Sequence, residues 1–266
     1  MNARPDSPQT DAGLPRLEDT AYPPQSPAPK TIGIPFPSRP PYVAYTLLGI
    51  CVLVYIAQLA TQQWLGYDWP LLWGVKWNER ILRGELWRLF TPMFLHGSIY
   101  HILFNMYALA NIGPGLERHY GHPRFLALYV LGGFGGNVVS FLLTSAPSLG
   151  SSTAIFGLLG AEGVLLYQNK SLFGGMAQRA LSNIIMIAVI NLVIGMSPGI
   201  DNWGHIGGLI GGTLFALLGG PLLQLGGIFP SLSITDRRET GQVWLAGIVV
   251  GCIFTFLAGV GIALKG

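Results

Sequence analysis

From Tyr42 onward the chain alternates apolar runs with polar breaks, and seven runs stand out: about 42–60, 99–113, 125–143, 152–168, 180–196, 203–219 and 243–264. A helix needs roughly 20 apolar residues to cross a bilayer, and several of these runs are shorter. Short runs interrupted by His, Asn or Ser predict a bundle whose interior admits water and locally non-helical chain, which lipid tolerates only where protein covers it. The predicted class is an all-α polytopic membrane protein.

The breaks have characters of their own. Residues 1–41 hold 11 of the 19 prolines, four acidic and four basic residues, and few large apolar groups. Such a composition does not bury enough surface to fold and predicts a disordered cytoplasmic tail. Pro23-Pro24 and Pro35 to Pro41 read as a solvated spacer rather than a proline-motif ligand. Between the first two runs, residues 61–98 carry five tryptophans (Trp64, Trp69, Trp73, Trp77 and Trp87) among charged groups. That mixture predicts an interfacial element rather than a structureless loop. Residues 220–242 read as a cytoplasmic linker, and 243–266 as a final span.

Composition supports this reading: half of the 266 residues are hydrophobic and only 10% are charged, against about a quarter charged in soluble domains. A net charge of +3 without a Lys/Arg-rich run gives no sign of nucleic-acid binding. The two cysteines, Cys51 and Cys252, sit in apolar runs and are expected to be buried and inert. The first 40 residues show no basic segment followed by an apolar stretch, so the first span is expected to start insertion itself. With the amino terminus inside, ten basic residues are cytoplasmic (Arg4, Arg16, Lys30, Arg39, Arg118, Arg124, Lys170, Arg179, Arg237, Arg238) and five are outside (Lys76, Arg80, Arg83, Arg88, Lys265). This asymmetry favours that orientation.

Polar groups at membrane depth mark candidate chemistry. Ser152 opens the fourth run after Pro147 and Gly150, which argue against a helix reaching back to the surface. At a helix amino terminus, unpaired N–H groups and the positive dipole end can hold a developing oxyanion. The plain alternative is an N-cap serine. His205 shares a helix face with Gly208 and Gly212, and Gly204-x-x-x-Gly208-x-x-x-Gly212 is a small-residue stripe that lets another span approach. His205 is thereby placed to reach Ser152 as its base, unless it merely bonds a carbonyl. His101 and Asn105 stack four apart on the second span, as oxyanion donors or as polar glue. The role of glue is assigned to Asn137, Asn183 and Asn191. His96, His101, His205 and Glu162 as a zinc site is disfavoured, since no H-E-x-x-H string occurs. Glu162 lies ten residues beyond Ser152, about 15 Å along the helix, too far for the same site.

Gly150-Ser151-Ser152-Thr153-Ala154-Ile155-Phe156-Gly157, Gly204-His205-Ile206-Gly207-Gly208-Leu209, His101-Ile102-Leu103-Phe104-Asn105 and the earlier Gly84-Glu85-Leu86-Trp87-Arg88-Leu89-Phe90-Thr91-Pro92 together resemble the rhomboid intramembrane serine proteases. The resemblance implies a six-helix transmembrane core over 42–219 with a seventh helix after it. It implies a dyad of Ser152 as nucleophile and His205 as base then acid, with Asp201 outside the mechanism. It implies that His101 and Asn105, with the Ser152 N–H, stabilise the oxyanion, that Gly150 supports the active site, and that Phe156, four residues after Ser152, packs on the His205 ring. Transmembrane proteins would be the substrates, cleaved at helix-weakening segments and released on the non-cytoplasmic side of a bacterial inner membrane, with no cofactor, metal or nucleic acid involved. One departure is Thr153, where the family usually has glycine; its β-branch restricts the backbone there. It keeps a rhomboid-like pseudoprotease, binding transmembrane clients without cutting them, as the alternative. A solute transporter would call for paired broken helices and internal repeats, which the sequence does not show.

Overall fold

The computed structural model describes residues 40–228 and 231–266. The expected disordered tail falls outside the described residues, Pro40 and Pro41 apart. Seven long helices cover the seven apolar runs: α1 (Tyr42–Leu65), α4 (Ile99–Tyr120), α5 (His122–Leu143), α6 (Ser152–Gln168), α8 (Gly175–Ile194), α9 (Asn202–Gly219) and α10 (Thr240–Lys265). Three short helices, α2 (Trp69–Gly74), α3 (Asn78–Leu82) and α7 (Lys170–Phe173), lie between them. By length and composition α1, α5, α8 and α10 qualify as membrane-crossing. The helices that carry the candidate chemistry do not, because α6 has only 17 residues and α4 and α9 include His and Asn. The chain is an all-α polytopic membrane protein.

At the centre stand α5, α6 and α9, packed almost backbone to backbone. A methyl group on Gly132 of α5 would lie 3.2 Å from the Gly157 Cα of α6, and one on Gly157 would lie 3.2 Å from the Gly208 carbonyl of α9. Small residues permit this, and in lipid close packing drives helix association. Around the trio, α1 packs on α4, α8 leans on α6 through Ile184 and Leu159, and α10 covers α5 and α9 with the buried Phe254.

Local chemistry fixes the helix ends. Pro41 precedes α1 and provides no side-chain cap. The cap comes instead from α4, where buried Glu117 accepts the N–H groups of Val43 (2.9 Å) and Ala44 (2.7 Å) and also bonds His122 Nδ1. Glu117→Ala leaves these donors without an acceptor and is expected to lower stability by about 1–3 kcal/mol. Thermal unfolding in detergent checks this, and an unchanged midpoint would dismiss the cap.

The connection from Gly66 to Ser98 is folded, through α2, α3 and 3₁₀ turns at Leu86–Leu89 and Thr91–Phe94. Buried Arg88 binds it together, donating to the carbonyls of Val75 (2.9 Å) and Leu72 (2.8 Å) and pairing with Glu85. Trp73 and Trp87 stack, and Trp64, Trp69, Trp73 and Trp87 are all exposed. The expected 220–242 linker contains an antiparallel hairpin, β1 (Leu223–Gly226) with β2 (Ser233–Asp236), pinned to the start of α5 by Arg124–Asp236. Two expectations need correcting. Cys252 is exposed on α10, whereas Cys51 is buried. Of the three asparagines expected to link helices, only Asn137 bridges elements, to the Leu89 carbonyl (3.0 Å); Asn191 bonds Ile187 of its own helix and Asn183 is exposed.

Candidate active site

Residues 144–151 lead from α5 to α6 without regular structure and deliver Ser152 as the first residue of α6. Gly150 adopts φ +130°, and its N–H donates to the Pro92 carbonyl (2.9 Å). A methyl there would sit 2.7 Å from His101 Nε2 and 3.5 Å from Ser152 Oγ. Glycine is therefore required twice, by the backbone and by the space between the two side chains.

The N-cap of α6 is Ser151, not Ser152, and it makes no side-chain cap. Its hydroxyl lies 3.3 Å from Nε2 of buried His96 instead. The amino-terminal N–H groups of α6 are thus left open, since the first four of any helix lack intrahelical partners. Ser152 Oγ lies 3.0 Å from His205 Nε2. With Nε2 accepting the hydroxyl proton, the ring's own proton is on Nδ1, and no described residue bonds that atom. Asp201 does not serve it. As N-cap of α9 it accepts the Gly204 N–H (2.9 Å), and its other oxygen takes the Ser140 hydroxyl.

Phe156 orients the imidazole in its place. The rings stack with centroids 4.4 Å apart and planes 11° from parallel. Thr153 turns its β-branch toward Gly136 and Gly204, whose missing side chains make room for it. No non-glycine among the described residues has a positive φ, and Thr153 sits in ordinary helix.

His101, in the first turn of α4, lies beside Gly150, with its ring 5.2 Å from that of His96. Asn105, one turn further, is buried and donates one side-chain N–H to the His101 carbonyl (2.9 Å), leaving the second free to point elsewhere. Gly208 and Gly212 meet the backbone of Thr153 and Gly157 on α6. The structure thus brings together Ser152, His205, Phe156, Gly150 and His101, with Asn105 behind His101. Glu162 stays remote, and no described residue hydrogen-bonds its carboxylate. His96, which the sequence offers only as a disfavoured metal ligand, packs beside the site. Its actual neighbours, Ser151 and the Gln58 side chain that binds its backbone on both sides, are 55 and 38 residues away and leave no local pattern.

The site has the geometry of a serine nucleophile and its base, set inside a membrane bundle. A family model for the Rhomboid domain matches residues 83–222, more than half of the chain, and the chain belongs to the rhomboid family. It is similar to the Rhomboid protease GluP of Bacillus subtilis (strain 168), 35% identical over 226 residues, covering 85% of this chain and 42% of that protein. It is similar as well to RHOMBOID-like protein 9, chloroplastic, of Arabidopsis thaliana, 37% identical over 180 residues, covering 67% and 42%. RHOMBOID-like protein 7 of the same plant is 35% identical over 202 residues, covering 73% and 64%. In each case the match spans less than two thirds of the relative's own length.

Proposed function

We propose that this protein is an intramembrane serine endopeptidase that cleaves transmembrane substrates through Ser152 and His205. The observation that carries the reading is the 3.0 Å approach of Ser152 Oγ to His205 Nε2, with the imidazole held flat against Phe156. Ser152 attacks the scissile carbonyl while His205 takes its proton; His205 then returns the proton to the leaving amine, giving an acyl-enzyme on Ser152. A water deprotonated by His205 cleaves the ester and frees Ser152. Backbone bonds inside an intact helix are shielded, so the substrate must unwind locally, and helix-weakening residues near its cut site serve this. The same reading places a six-span core over 42–219, with a seventh span after the 220–242 segment and the amino terminus cytoplasmic.

The tetrahedral oxygen is assigned to the open N–H of Ser152 and the side chains of His101 and Asn105. His101→Ala and Asn105→Ala are each expected to lower kcat by about 10²–10³ with little change in KM, as for loss of one oxyanion donor. Initial rates on a transmembrane reporter test this, and a KM effect alone would remove the residue from that role. The reading as a whole is tested with a serine-directed phosphonate on purified protein. Covalent labelling is expected at Ser152 in the parent and not in His205→Ala. An unlabelled parent that still binds transmembrane segments would make the chain a client-binding pseudoprotease.

A further inference from the structure

Lys76, in the connection between α2 and α3, is completely buried. Its ammonium donates to Ser140 Oγ (3.0 Å) and to the carbonyls of Ala146 (2.8 Å) and Thr144 (3.2 Å), at the end of α5 where the dipole is negative. Its backbone pairs in both directions with Ser148 (3.0 and 3.2 Å), four residues before Ser152. Ser140 passes the link onward by donating to Asp201, the carboxylate that caps α9 four residues before His205. Each valence of the Ser140 hydroxyl is used: it accepts from Lys76, donates to Asp201 and touches Ser148 Oγ (3.4 Å). A buried ammonium is costly unless a partner offsets it, and capping α5 alone would not need one. Asp201 supplies the opposite charge across Ser140.

We infer that Lys76, Ser140 and Asp201 form a buried, charge-bridged clamp that holds the Ser152 segment and the His205 helix at their working separation. The inference rests on the dyad reading above. All three are positioning residues, since none touches the reacting atoms. The charged groups facing Lys76 are Asp201 at the head of α9 and Lys265 at the end of α10; α5 offers it only a hydroxyl and carbonyls. Asp201 in turn faces His205, which also feels His101 from α4. Burial pushes the Lys76 ammonium down to about 8, against the pull of Asp201, and Lys265 pushes the same way. Above that pH the bridge loses its cation.

The test is the rate of phosphonate labelling at Ser152 in full-length protein in detergent, followed from pH 6 to 10 beside thermal unfolding. The parent is expected to lose rate on the alkaline side near pH 8. Ser140→Ala, a small change made without altering charge, is expected to label about tenfold more slowly while still folded, in line with a displacement of well under 1 Å at the dyad. Lys76→Met is expected to be slower still and to lose the alkaline limb. Lys76→Met/Asp201→Asn is expected to be no slower than Lys76→Met, because removing both charges spares the orphaned one. Parent rate and parent pH profile in Ser140→Ala and Lys76→Met would overturn the clamp with the dyad intact. So would a rate loss that only follows the loss of folded protein and leaves the limb in place. A parent that never labels would overturn the dyad, and the clamp with it.

Discussion

Alanine at Ser152 or at His205 is expected to lower cleavage of a transmembrane reporter by about 10⁴-fold or more, through kcat and not KM. In the proposed mechanism both groups act on the same proton. Without the imidazole, the Ser152 hydroxyl loses the base that hydrogen-bonds it and stays protonated. Without the hydroxyl, His205 has no nucleophile to activate. The Ser152→Ala/His205→Ala double variant is therefore expected to be no slower than the worse single variant, since groups acting as a unit are not additive. Substrate binding, measured with an uncleavable transmembrane peptide, is expected to be retained in all three. Cleavage by either single variant at the parent's rate would sink the assignment. On the proposed dyad no acid is called for to orient His205: the ring stacks on the face of Phe156, and its Nε2 edge meets the Ser152 hydroxyl. Asp201, the carboxylate nearest to His205 in sequence, is committed to the helix cap and Ser140.

What could be read from the sequence follows the range of each interaction. Apolar periodicity placed the long helices, and α6 starts at Ser152 because Pro147 and Gly150 break the chain just before it. The four-residue spacings of Ser152 to Phe156 and of the Gly204, Gly208, Gly212 stripe put those groups on common faces. The stripe announced a close approach but not its partner, the backbone of Thr153 and Gly157. Long-range polar bonds were illegible. Lys76 counted as an external charge, and Arg88 likewise, yet both are buried against carbonyls many residues away. Their worth as topological markers is correspondingly small. Ser152 is not the helix cap, since Ser151 holds that position and turns its hydroxyl to His96. The hairpin at 223–236 escaped notice because four-residue strands rich in Leu, Gly and Ser carry little alternation.

Gly208→Ala is expected to separate the dyad without touching either member. A methyl on Gly208 would fall onto the carbonyl oxygen of Thr153, with that residue's carbonyl carbon 2.8 Å and its Cα 3.2 Å away. These are backbone atoms of α6 and cannot rotate aside as a side chain would, so α6 and α9 must part. Overpacking of this kind costs about 1–3 kcal/mol of stability, and a shift near 1 Å between nucleophile and base costs about 10²-fold in rate. His205 is carried by the same helix, three residues earlier, and moves with it. Ser152 is the residue just before Thr153, so the clash acts at the point where the separation matters most. Gly49→Ala on α1 is the matched control. Nothing lies within 4 Å of its new methyl group, and alanine in a helix interior is expected to raise stability by about 0.5–1 kcal/mol. The two variants are compared by thermal midpoint and by the rate of phosphonate labelling at Ser152. Gly208→Ala labelling as fast as Gly49→Ala would mean that the helix contact does not set the Ser152–His205 distance. Slow labelling that recovers in Gly208→Ala when Thr153 is replaced by glycine would not be expected either, because the clash is with the Thr153 backbone and not with its side chain.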